Sequence, residues 1–192
     1  RGSGRKGCGG MSGPDQTARV RKAWSVTLEE VERANEEWGC NCGPAAIAAV
    51  LRRPLDEVRP HMGDFESKRY TNPTLMWSAL RSLGVRFSYR GGHLGRRWWP
   101  TYGLARIQWE GPWTKPGVPA RAAYRHTHWV GVNARNPENI GIFDVNAVAN
   151  GTGWCSLDDW SGIVVPWLLR EAVPSADGAW HITHAVEVTN DA

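Results

Sequence analysis

Apolar residues recur at helical spacing through the first half of the chain and at strand spacing through the second. Thr27 and Glu30 have the spacing of a capping box, and Leu28, Val31 and Ala34 then share one face, so a first helix is predicted from Thr27, fraying near Asn35 to Trp38 ahead of Gly39. A second helix is predicted over Ala45 to Leu51, with Gly43-Pro44 as its first turn, because proline lacks only an N–H that a helix start does not use. A short helical piece, Leu55 to Arg59, ends before Pro60, and a polar loop runs to Tyr70. Asn72-Pro73 then reads as cap and first residue of another helix, with Leu75, Ala79, Leu80 and Leu83 on one face and Gly84 as its stop.

From Val85 the period changes. Val85 to Tyr89 and Ala105 to Trp109 alternate like half-buried strands, separated by a loop holding Gly91-Gly92 and the basic aromatic run Arg96 to Pro100. Gly111 to Pro119, with three prolines, is predicted irregular. His128 to Val132 and Ile140 to Phe143 form a hairpin across a turn-rich connection, and Trp180 to Val188 is a last strand. Leu157 to Arg170 is partly helical, with Pro166 as an interruption. Helices first and strands afterwards give an α+β fold rather than repeated βαβ units. One domain over 20–192 is expected, preceded by a flexible basic Gly-rich arm at 1–19.

Composition narrows the class. With 41% hydrophobic and 22% charged residues and no apolar run of membrane-spanning length, the chain reads as globular and not membrane-inserted. The first residues contain no apolar segment of the kind a signal peptide needs, and Met11 is a plausible start, so a cytoplasmic or virion-associated location is expected. The net charge of +4 comes from scattered basic residues, which does not single out nucleic acid as a partner. Twelve tryptophans are read as core filling, their indole N–H groups satisfied inside. The four cysteines have unlike spacings and form no disulfide framework, and Cys8 and Cys155 have no motif around them.

The chemistry concentrates at Cys42. A thiol at a helix N-terminus meets unpaired N–H groups and the positive end of the helix dipole, which favour the thiolate. A cysteine nucleophile also needs a base, a group to orient it and donors for an oxyanion. His128 opens one strand of the hairpin and Asp144 closes its partner, 16 positions later, so both side chains can meet at one edge of the sheet. His126 competes with His128 for the role of base, and His128 is preferred because the apolar strand begins there. His181 and His184 are read as structural. A zinc site from Cys40, Cys42, His126 and His128 has the right ligand types, but the one-residue gap between the cysteines is poor for zinc. No metal and no cofactor is expected.

Cys42-Gly43-Pro44-Ala45-Ala46, His128-Trp129-Val130-Gly131-Val132 and Ile142-Phe143-Asp144 resemble the Cys, His and Asp boxes of papain-like cysteine peptidases, especially the peptidase C39-like group. The resemblance covers roughly residues 35–146. It implies a papain-like fold, a nucleophile helix packed on an antiparallel sheet, and hydrolysis of a peptide or isopeptide amide through a thioester. The family usually carries a glutamine about six residues before the nucleophile, and Glu36 stands here, which as a carboxylate only accepts hydrogen bonds. Asn35 and Asn41 are the candidate oxyanion donors in its place. The expected partner is a peptide or protein substrate. Two alternatives stay open: acyl transfer or deamidation by the same residues, and an inactive fold serving in a larger assembly, such as a phage particle, that holds the arm.

Overall fold

The computed structural model describes residues 26–39 and 41–189. The arm at 1–19 with Cys8, and Cys40 of the zinc alternative, lie outside the described residues. No helix among the described residues is long and apolar enough to cross a membrane.

The helical half begins with α1, Leu28–Trp38, whose Thr27 cap accepts from the Glu30 N–H while the Glu30 carboxylate accepts from the Thr27 N–H. Next comes α2, Cys42–Leu51, buried without a break from Gly43 to Val50. Short turns α3, Leu55–Val58, and α4, Phe65–Lys68, lead to α5, Pro73–Ser82, capped by the Asn72 side chain at 2.8 Å from the Leu75 N–H. The strands are β1, Phe87–Gly95; β2, Tyr102–Trp109; β3, Thr127–Asn133; β4, Gly141–Phe143; β5, Trp154–Ser156; and β6, Trp180–Val188. A short helix α6, Ala120–Ala123, precedes β3, and α7, Leu157–Asp159, and α8, Val165–Ala172, precede β6. The fold is α+β: these six strands form one antiparallel sheet in the order β1-β6-β2-β3-β4-β5.

The sheet is covered on both faces. One face carries Leu104, Trp129 and Val186 against Ile47, Phe65, Met76 and Leu80 of the helical half. The other carries Ile107, Trp109, Val130, Ile142 and Trp180 against Trp160 and Leu168. The helix α2 lies on β3 because Gly131 lets it: a Cβ there would stand 3.1 Å from Val50 Cγ2 and 3.0 Å from Phe143 Cβ.

Two local expectations change, and two elements are new. The first strand runs on through Gly91-Gly92, where a loop was expected, because β6 supplies hydrogen-bonding partners as far as Gly95. Pro166 does not interrupt the helix: Trp160–Val164 is a π-turn, whose wider spacing precedes α8, and Pro166 falls in the first turn, where its missing N–H costs little. The strand β5 and the 3₁₀ turn Val145–Asn150 had no signal of their own length. Of the tryptophans, Trp109, Trp129 and Trp160 are fully buried, whereas Trp167 is 45% exposed.

Candidate active site

The sulfur of Cys42 sits where α2 begins and β4 ends. β4 pairs with β3 only from Gly131 to Asn133, so among the described residues the start of β3 has no partner strand on that side. The N-terminus of α2 fills the gap, with the Trp129 backbone N–H donating toward the half-buried Cys42 sulfur. Gly43 is needed for this approach, since a Cβ would lie 2.3 Å from Thr71 Oγ1. The helix ladder begins with the Ala45 N–H donating to the Asn41 carbonyl at 2.9 Å, which leaves the Cys42 and Gly43 N–H groups without an intrahelical acceptor.

His128 and Asp144 meet at this opening. His128 Nε2 is 3.0 Å from Asp144 Oδ2, an ion-pair contact in which the N–H does not point along the line between them. With Nε2 on the Asp144 side, Nδ1 is the nitrogen left to face Cys42. Asp144 is fully buried, and donors surround it: Trp160 Nε1 reaches Oδ2 at 2.8 Å, and the Asn146 backbone N–H and Nδ2 both reach Oδ1 at 2.9 Å. Trp109 covers the imidazole, its ring centroid 6.1 Å away and 23° from parallel.

The charges reinforce one another. Burial pushes the Cys42 thiol up, but the hydrogen bond and charge of His128 and the Trp129 N–H outweigh it, leaving the thiol below its ordinary value. Burial disfavours a charged His128, yet the Asp144 carboxylate and Cys42 together raise it to about 10. Burial likewise opposes an ionised Asp144, and His128, Trp160 and Asn146 hold its carboxyl below the usual range. The arrangement is a thiolate beside an imidazolium backed by a carboxylate. Cys155 has no such partners, and burial followed by the charges of Asp144 and Asp159 pushes it up to about 11.

The remaining candidates fall elsewhere. Asn35 is exposed on α1, as is Glu36. Asn41 donates its Nδ2 to the Val31 carbonyl at 3.1 Å, tying α1 to α2. Neither amide makes a hydrogen bond to Cys42 among the described residues. His126 is exposed, with a left-handed backbone and its ring 4.6 Å from Trp113. His181 contacts Glu110 at 2.8 Å. Among the described residues no three of His, Cys, Asp and Glu gather as metal ligands.

Two residues of the site carried no sequence signal: Trp160, one tryptophan among twelve, and Arg106, one arginine in an alternating strand. Arg106 is buried on the helical face of β2, near enough for the Cys42 charge to act on it. It borders a cleft of about 910 Å³ with Tyr124, Thr127 and His184. No protein-family model matches this chain, and no curated protein matches its sequence.

Proposed function

We propose that this protein is a papain-like cysteine hydrolase that cleaves a peptide or isopeptide amide, with Cys42 as nucleophile, His128 as acid and base, and Asp144 orienting His128. The observation that carries the reading is the convergence of a helix-terminal thiol, an imidazole and a buried carboxylate, with His128 and Asp144 at 3.0 Å. The Cys42 thiolate attacks the carbonyl carbon, and the resulting oxyanion takes hydrogen bonds from the N–H groups at the start of α2. His128 gives its proton to the departing amine, leaving a thioester. Neutral His128 then draws a proton from water as the water attacks, and Cys42 leaves as thiolate. A helix carrying the nucleophile against an antiparallel sheet, with His128 and Asp144 from adjacent strands, supports the papain-like reading.

The test is mapped alkylation. Iodoacetamide at about pH 6 is expected to modify Cys42 at least 100-fold faster than Cys155, because only a thiolate reacts and, of these two, Cys42 alone has a cationic partner. His128→Ala is expected to abolish the selectivity. Equal slow labelling of both thiols would sink the proposal.

A further inference from the structure

A buried cation, close enough to Cys42 to feel its charge, faces a cleft in which no carboxylate meets it among the described residues. Arg106 is 6% exposed, its Nε has no hydrogen-bond partner, and among the described residues no Asp or Glu lines the cleft. Its guanidinium donates to a neutral acceptor, Thr127 Oγ1 at 3.1 Å, and lies 5.6 Å from the Tyr124 ring centroid. Burial, opposed by Tyr124 and Cys42, lowers its pKa from the ordinary value, so the site strains against the charge it holds. A buried ion left unpaired costs several kcal/mol by general experience, a cost that a bound counter-ion removes.

The rest of the cleft agrees. Arg69 and Arg125 stand exposed at its rim, and His184 inside it has a second orphaned polar atom, Nδ1. Burial and then Arg106 push His184 down to about 4, so it stays neutral and leaves Arg106 as the interior charge. An arginine fork matches a carboxylate with two parallel N–H···O bonds. We infer that this cleft binds a carboxylate of the substrate, with Arg106 as its charge partner and the specificity-determining residue. That the carboxylate belongs to a substrate rests on the hydrolase reading; the anion site itself does not. The carboxylate is either an acidic side chain or a peptide C-terminus near the amide that Cys42 attacks.

The experiment measures binding to the full chain carrying Cys42→Ala, by calorimetry at matched ionic strength, for three probes: acetyl-glutamate amide, acetyl-glutamine acid and acetyl-glutamine amide. At least one acid is expected to bind about tenfold or more tightly than the neutral amide, and the acid that does so identifies the source of the carboxylate. Arg106→Gln is expected to remove the preference. Arg106→Met, which keeps length while removing the buried charge, is expected to do the same and covers the case in which glutamine disturbs folding. Equal binding of all three probes, or a preference that survives in both variants, overturns the assignment. Because Cys42 is absent from this measurement, failed alkylation selectivity strikes the hydrolase reading alone, and a missing acid preference strikes the anion site alone.

Discussion

Replacing Asp144 by asparagine removes one charge from the site while keeping the shape of the side chain. In the wild type, His128 is raised from 6.5 to about 10 against the opposing effect of burial. That difference corresponds to about 5 kcal/mol in favour of the imidazolium, with the Asp144 charge its leading support. Without that charge burial prevails, His128 becomes neutral near pH 7, and Cys42 loses the cation that keeps it ionised. A thiol at its ordinary pKa of 9.0 is ionised in only about one molecule in a thousand at pH 6, and burial lowers the fraction further. Alkylation of Cys42 by iodoacetamide at pH 6 is therefore expected to slow by at least about 100-fold, and the gap to wild type to narrow as the pH rises. The assay is the mapped labelling rate from about pH 5 to 10.5 on protein shown to be folded by circular dichroism. Breaking a buried pair costs about 3–5 kcal/mol, so a melting temperature lower by about 10 °C is expected as well. A folded Asp144→Asn protein that labels at pH 6 as fast as wild type would refute the argument, because His128 would then owe its charge to something else.

Trp160→Phe removes the 2.8 Å donor to Asp144 Oδ2 but keeps an aromatic ring; losing a hydrogen bond to a charged group, about 1.5–3 kcal/mol, is expected to lower the melting temperature by several degrees in calorimetry. Gly43→Ala brings a Cβ to 2.3 Å from Thr71 Oγ1, and a melting temperature lower by several degrees, for about 1–3 kcal/mol, is expected by calorimetry. The pH dependence of stability has a worked sign. His128 is raised on folding, so its contribution is fully present below its unfolded value of 6.5 and disappears as pH rises through about 10. Asp144 is lowered, so its contribution is present above the ordinary carboxyl value and fades in acid. Urea unfolding of wild type against His128→Gln should show a difference that shrinks steadily as the pH is raised toward 10.5, and a constant difference would count against the ion pair.

Much of the helical half is legible locally because its signals lie within one turn. Thr27 and Glu30 cap each other three residues apart, and Asn72 caps Leu75 in the same way. The helix after Cys42 is legible because the run Ala45 to Leu51 is apolar and helix-forming throughout, and the β3–β4 hairpin because its turn residues lie between its strands. The extension of β1 was not legible, since its partner β6 lies nearly a hundred residues away and glycines carry no pattern of their own. The tolerance of Pro166 depends on the π-turn before it, which no propensity encodes.

The site divides in the same manner. Residue type and neighbours alone single out Cys42, His128 and Asp144, because a thiol before a helix and polar residues at the ends of apolar strands are local facts. What gathers around them is set by tertiary structure: Asn41 turns out to tie α1 to α2, Trp160 comes from a distant turn to donate to Asp144, and Arg106 is buried with no carboxylate among the described residues to pair it. Local sequence specifies where the backbone turns and which faces are apolar, since those energies act over a few residues. Ionisation and hydrogen-bond supply at a buried site depend on every group within several ångströms, and only the packed chain decides which groups those are.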